Sequence, residues 1–140
     1  MSLRVFATRP YAYLGDQIAS RRGYRAGQME IGDFADGERY LRLRENLTGK
    51  SAVVIGGTSS EPATLELYDI ATGLVAYGVS HLQLIIPYFG YSTQERAVRP
   101  GDVVLAKARA RLLSSVPSAR LNNEIVLFDL HTAGIAQYFE

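Results

Sequence analysis

The chain of 140 residues contains no cysteine, so disulfide bonds and thiolate metal sites are excluded. It also lacks an apolar run of roughly 18 residues, the length that a membrane-spanning helix needs. Residues 1–8 do not have the charged-then-apolar layout of a signal peptide. The formal net charge is only +1, so no overall field attracts nucleic acid. We therefore expect a cytoplasmic protein that binds neither membrane nor nucleic acid.

The composition is that of an ordinary globular domain, with 47% hydrophobic and 21% charged residues at a length that fits one domain. Short apolar runs alternate with segments of helical periodicity. This alternation favours an α/β domain of three layers around a mostly parallel sheet, because parallel strands are apolar on both faces. The predicted strands cover 3–7, 28–31, 40–43, 51–55, 81–86 and 124–128, and the predicted helices cover 14–22, 62–77 and 103–113.

Three segments follow predicted strands at their carboxyl ends, where open α/β sheets bind ligands. The first, Gly-Gly-Thr-Ser-Ser at 56–60, could offer amides to an anion, and a plain strand-to-helix turn explains it equally well. In the second, at 87–96, we expect the aromatic side chains to pack. Arg96 and the nearby Arg99 are candidate phosphate ligands, because a guanidinium matches phosphate oxygens.

The third segment holds Asp129 and His131, directly after the last predicted strand. They follow the strand without a break, and period-two alternation predicts that both side chains lie on one side. Such a pair suits a metal or a phosphate, and it could equally be a hydrogen-bonded pair that orders the turn. His81 precedes a strand at the opposite end of the sheet and is predicted to be structural.

A fourth segment, Asp-Phe-Ala-Asp-Gly-Glu-Arg at 33–39, places carboxylates around a glycine between two predicted strands. An Asp-Gly pair in this setting is typical of a β-hairpin turn. The pattern alone favours a plain hairpin over a binding loop.

Taken together, four segments resemble the phosphoribosyl diphosphate synthetases, also called ribose-phosphate diphosphokinases. The match runs from about residue 4 to residue 140, and 135–139 resembles the helix that follows Asp-Leu-His in that family. The resemblance implies a phosphoribosyltransferase-like fold with a protruding hairpin. Residues 1–140 would be the amino-terminal, ATP-side domain, and a second domain would be absent. The matching segments are Phe-Ala-Asp-Gly-Glu at 34–38, Pro-Tyr-Phe-Gly-Tyr at 87–91, Gln-Glu-Arg at 94–96 and Asp-Leu-His at 129–131.

The family moves the β,γ-diphosphoryl group of ATP to ribose 5-phosphate for nucleotide biosynthesis, with magnesium, and its members form homo-oligomers. By this resemblance, Phe34 stacks on the adenine of an ATP that is bound mainly by a neighbouring subunit. Asp36 and Glu38 accept hydrogen bonds from it, while Gln94 and Arg96 contact the nucleotide.

In the family, the residue that His131 matches lies close to magnesium, and Asp129 supports its turn. Magnesium prefers oxygen ligands, so nearness to the ion is implied more firmly than direct coordination by His131. The chain departs from the family at Thr93, where most members have an arginine that touches ATP; Arg96 or Arg99 could replace it. The segments 99–103 and 117–123 resemble the divergent plant-type class.

The family's ribose-phosphate loop and its flexible Lys/Arg-bearing loop are absent from the sequence, so no catalytic residue is assigned here. We expect that the chain alone does not turn over. An alternative is a noncatalytic regulatory subunit that associates with synthetases, which Thr93 slightly favours and the intact adenine loop disfavours. A nucleotide-binding module of another class would need a glycine-rich motif that is not present.

Overall fold

A computed structural model describes residues 2–140. None of the helices in that range has the length and hydropathy needed to cross a membrane. Besides three short 3-10 helices at Arg9–Tyr11, Ser92–Gln94 and Ala133–Tyr138, the elements are β1 (Leu3–Ala7), α1 (Ala12–Ala19), β2 (Tyr24–Ala26), β3 (Met29–Asp33), β4 (Arg39–Leu43), β5 (Ser51–Ile55), α2 (Glu61–Ala76), β6 (His81–Ile86), α3 (Leu105–Ser114) and β7 (Asn122–Leu127).

The main sheet has five parallel strands in the order β2-β1-β5-β6-β7, and β3 and β4 form a separate antiparallel hairpin. Alternate side chains of the central strands enter two different cores. Val54 and Leu84 belong to the core under α2 and α3, whereas Val53 and Ile85 pack with residues of α1. Helices therefore lie on both faces, which confirms the predicted three-layer fold with a parallel sheet and a protruding hairpin.

The α2 helix shows why its ends were predictable. The Ser60 hydroxyl accepts a hydrogen bond from the Ala63 amide at 3.2 Å, and Gly78, at φ 92°, takes the left-handed conformation that follows the helix. The buried stripe differs from the apolar positions in the sequence. Leu65 is 47% exposed, while Glu66 shares the buried side of the helix with Leu67.

Two elements at the amino-terminal edge differ from the prediction. Helix α1 ends at Ala19, three residues early, where the Ser20 hydroxyl donates to the Gln17 carbonyl at 2.7 Å. Strand β2 was not predicted, because its three residues are all exposed and show no apolar pattern. Backbone pairing with β1, in the register Leu3↔Tyr24, is what makes it a strand.

The last strand was predicted at 124–128 and spans Asn122–Leu127. Asp129 then adopts φ 46°, a left-handed conformation that ends extended backbone. The prediction that strand alternation puts Asp129 and His131 on one side is therefore wrong, because no strand reaches them. The helix expected at 135–139 is the 3-10 helix Ala133–Tyr138.

A buried ion pair lies at the amino-terminal end of the sheet. Arg4, on β1, is 8% exposed, and its Nε lies 2.7 Å from a Glu45 carboxylate oxygen. Glu45 also accepts from the Gln28 amide at 3.0 Å and from Lys50 at 3.3 Å. Burial alone would raise the pKa of Glu45, but these hydrogen bonds outweigh it and hold the pKa below its ordinary value.

Candidate functional site

The loops after β5 and β6 are joined at the carboxyl edge of the sheet. The Gly90 amide donates to the buried Thr58 hydroxyl at 2.8 Å, and the Thr58 amide donates to the Tyr88 carbonyl at 3.1 Å. A Cβ on Gly90 would lie 2.3 Å from the Thr58 carbonyl oxygen, closer than real Cβ atoms approach. Glycine is required here because the two backbones touch.

The same contacts show which amides of segment 56–60 are already engaged. The Gly56 amide donates to the Ile85 carbonyl at 3.0 Å, and the Thr58 amide is used as described. Both residues are buried, so neither amide is available to an anion. The Ser60 hydroxyl is also engaged, as the cap of α2. The segment is a strand-to-helix turn in which the Gly56 and Thr58 amides are already engaged.

The aromatic turn after β6 is mainly packing, as predicted. Phe89 is 4% exposed and its ring centroid lies 5.3 Å from that of Phe139. Tyr91, at φ 64°, places its ring 4.3 Å beneath the Arg109 guanidinium. Tyr88 is different, because it is 58% exposed and free to meet a partner or ligand.

Glu95 connects the segment after β6 to the segment after β7. Its carboxylate accepts a hydrogen bond from the Thr132 hydroxyl, and its backbone carbonyl accepts one from the Tyr138 hydroxyl. Gln94 therefore lies on the same edge of the sheet as His131, and both are exposed. The sequence prediction required this shared edge, but it assigned no role to Glu95 or Tyr138.

The charged candidates on this edge are available to solvent. Arg96 and Asp129 are exposed, and the Arg99 side chain is 83% exposed with its Nε 4.0 Å from Asp102. Within residues 2–140, no group of three or more His, Cys, Asp or Glu residues could hold a metal ion. The exposed Asp129 carboxylate is an oxygen donor of the kind that magnesium prefers.

The predicted hairpin is present, and its tip is built to face outward. The Phe34 amide donates to the Glu38 carbonyl at 2.7 Å, and the Gly37 amide donates to the Phe34 carbonyl at 2.9 Å. Gly37 has φ 91°, which favours glycine, and Asp36 accepts from the Glu38 amide at 2.9 Å. Phe34 stays 55% exposed, with its ring 5.7 Å from that of Tyr40.

An ionic network holds the base of this tip. Asp33 pairs with Arg9 at 2.8 Å, and Arg9 pairs with Glu66 at 2.7 Å. Across the hairpin, Arg39 lies 2.8 Å from Asp69 and 3.5 Å from Glu66. Hydrogen bonds to Asp33 and Glu66 raise the pKa of Arg9, and the bond from Arg9 lowers the pKa of Asp33.

The candidate residues therefore form two groups. The hairpin tip carries Phe34, Asp36 and Glu38, and the carboxyl edge of the sheet carries the second group. No hydrogen bond or ion pair among residues 2–140 joins segment 34–38 to segments 92–99 or 129–132.

Sequence analysis missed the network under the hairpin. Arg9 and Glu66 are 57 positions apart, and neither stands in a recognisable motif. One signal was present, because Glu66 interrupts an apolar stretch of a predicted helix. A carboxylate on a buried helix face needs partners, so it indicates an ionic contact from another element.

Comparison with known proteins identifies relatives over the whole chain. Residues 3–116 match the family described as the N-terminal domain of ribose phosphate pyrophosphokinase. The ribose-phosphate pyrophosphokinase of Fusobacterium nucleatum is 30% identical over 142 residues. The putative ribose-phosphate pyrophosphokinase 2 of Lactiplantibacillus plantarum is 33% identical over 141 residues. The crystal structure of phosphoribosylpyrophosphate synthetase from Mycobacterium smegmatis superimposes with a TM-score of 0.86 at 26% identity.

These relatives are longer than the chain. The two pyrophosphokinases align with 99% of its residues, which correspond to 43% and 42% of their own lengths. The crystal structure covers 100% of the chain, which spans 46% of that protein. The chain therefore matches less than half of each relative.

Proposed function

Because the chain belongs to the ribose-phosphate pyrophosphokinase family as its N-terminal domain, we propose that it is the ATP-binding half of such an enzyme. The reaction would move the β,γ-diphosphoryl group of ATP to ribose 5-phosphate. The anomeric hydroxyl oxygen would bond to the β-phosphorus, the bond from that phosphorus to the α-phosphate oxygen would break, and AMP and a proton would leave.

The observation that carries the proposal is the exposed, preformed hairpin tip. Phe34 offers a half-exposed ring for stacking, and Asp36 and Glu38 stand beside it as acceptors. The amides of Phe34, Gly37 and Glu38 are bonded within the tip, so the turn forms without a ligand. Such a surface suits a nucleobase that presents donors at its edge.

The second group would hold the phosphates. Arg96 and Arg99 are exposed cations at the carboxyl edge, and Gln94 adds an amide. Magnesium would supply charge neutralisation on the phosphates, with the Asp129 carboxylate as the oxygen ligand and His131 nearby. In the part of the chain that the structure describes, the two groups make no hydrogen bond or ion pair with each other, and the family resemblance implies a site shared between subunits. We therefore propose that one ATP uses the hairpin of one subunit and the edge of another, within a homo-oligomer.

We propose that the chain alone does not turn over. Diphosphoryl transfer depends on positioning and neutralising both substrates, and the sequence carries no ribose-phosphate loop. An assay of AMP release with magnesium, ATP and ribose 5-phosphate tests this, with background rates as the expected result. Turnover above background would contradict it. A noncatalytic, synthetase-associated subunit is the second candidate, because Thr93 stands where most family members have an arginine that touches ATP.

Calorimetric titration of the chain with magnesium and α,β-methylene ATP tests the binding function. We expect saturable binding that is weakened by Phe34→Ala and by His131→Ala. Tyr77→Ala, an exposed residue at the end of α2, is the matched control and should bind like the parent chain. Binding that is unchanged in both site variants would place the nucleotide elsewhere.

A further inference from the structure

The hairpin is attached to the rest of the molecule through the two residues that flank its tip. Asp33 ends β3, Arg39 begins β4, and the two face each other in the hairpin register. Asp33 receives two hydrogen bonds from Arg9, at 2.8 and 3.2 Å, and Arg39 donates to Asp69 at 2.8 Å and to the Pro62 carbonyl at 3.0 Å. The orientation of the tip is therefore set by ionic contacts.

Glu66 is the centre of these contacts. Its side chain is 4% exposed, and its two oxygens accept from the Arg9 backbone amide at 2.8 Å and from the Arg9 Nε at 2.7 Å. Arg39 Nε has no hydrogen-bond partner in residues 2–140 and faces Glu66 at 3.5 Å. The other carboxylates, Asp33 and Asp69, are half exposed, with 50% and 44% of their side chains accessible.

This difference in burial indicates which of the three carboxylates contributes most to holding the hairpin. A half-exposed ion pair is screened by water and contributes little. A buried carboxylate that faces two guanidinium groups interacts in a lower dielectric, and removing it leaves each cation with only a half-exposed carboxylate partner. Glu66 contacts Arg39 on β4 directly. It is linked to Asp33 on β3 through Arg9, which binds both carboxylates.

We propose that Glu66 is a positioning residue, whose carboxylate holds both ends of the hairpin and so fixes the exposed tip at 34–38. The anchoring concerns this chain alone. Its consequence, that the tip meets a nucleotide base in a set orientation, rests on the proposed function. If the tip occupies that orientation only part of the time, apparent affinity falls in proportion to the lost fraction.

The primary test is amide hydrogen exchange of the 140-residue chain and its Glu66→Gln variant, without nucleotide. Amides of β3 and β4 should exchange at least about tenfold faster in the variant, while those of β5 and β6 keep their protection. Glu61→Gln, on the same helix with a side chain 75% exposed, is the control and should leave the hairpin unchanged. A merely structural role would change hairpin and sheet together, and that result, or an unchanged hairpin, would overturn the proposal.

If Glu66→Gln does not fold, Asp33→Asn decides the matter, because a half-exposed position does not threaten the core. It removes the carboxylate from the bidentate pair with Arg9, a geometry stronger than that of an ordinary half-exposed pair, so hairpin exchange should rise by about twofold to fivefold. Unchanged exchange would overturn the proposal.

A second test measures nucleotide affinity by the titration with magnesium and α,β-methylene ATP. Glu66→Gln should raise the dissociation constant by about tenfold if the tip is correctly oriented a tenth of the time. Unchanged affinity in a variant with a loosened hairpin would refute positioning. If the parent chain itself fails to bind, the proposed function fails, and the exchange result still decides whether Glu66 anchors the hairpin.

Discussion

The contact between the loops after β6 and β7 can be removed one hydrogen bond at a time. Thr132→Val keeps the shape of the side chain and deletes the hydroxyl that donates to the Glu95 carboxylate. A hydrogen bond to a charged group contributes about 1.5–3 kcal/mol. Thr132 and Glu95 are only partly buried, so water compensates for part of the loss. We expect the free energy of unfolding to fall by about 1–2 kcal/mol.

Tyr138→Phe removes the second bond, which is between neutral groups, and should cost about 1 kcal/mol. Because both bonds hold Glu95, the double variant should lose less than the sum of the single losses. Urea denaturation of the four chains measures this. Thr93→Val, an exposed neighbour, is the control. A Thr132→Val chain within about 0.5 kcal/mol of the parent would refute the account of this contact.

Three further substitutions test other parts of the structure. Gly90→Ala should lower the free energy of unfolding by about 3 kcal/mol in urea, because its Cβ meets the Thr58 carbonyl at 2.3 Å. Arg109→Gln should cost about 0.5–1 kcal/mol in the same assay by losing its contact with Tyr91. The pKa of Glu45 is lower in the folded chain than its ordinary value of 4.5, so the ionised carboxylate stabilises the fold at pH values above 4.5. This stabilisation is lost as the pH falls through the lowered pKa. Glu45→Gln should therefore lower the melting temperature at pH 7 and reduce its further fall in acid. Melting temperatures of the variant and the parent chain that fall in parallel with pH would contradict this expectation.

The parts of the fold that the sequence predicted well are those where burial and local signals agree. The ranges 3–7, 51–55 and 81–86 match strands β1, β5 and β6 because each is a mostly apolar run in the sheet. Helix α2 was placed within one residue by its early proline and by the glycine that follows it. Strand β2 has three exposed residues, so only its pairing with β1 reveals it.

The candidate site likewise has a part that the sequence predicted and a part that it did not. Topology alone put segments 92–96 and 129–131 on one edge, because parallel strands end together. The left-handed conformation of Asp129 could not be read from a polar residue after an apolar strand. The contact of Glu66 with Arg9 depends on how a helix meets a loop 57 positions earlier, which periodicity does not encode.

We propose that one ATP lies between the hairpin tip of one copy and the carboxyl edge of another. Mixing two defective variants, Phe34→Ala and His131→Ala, tests it most directly. Each alone should bind magnesium and α,β-methylene ATP weakly. After random reassembly of an equimolar mixture, about a quarter of the sites should combine an intact tip with an intact edge and regain the affinity of the parent chain. A mixture that titrates as the sum of its two weak components would contradict the claim.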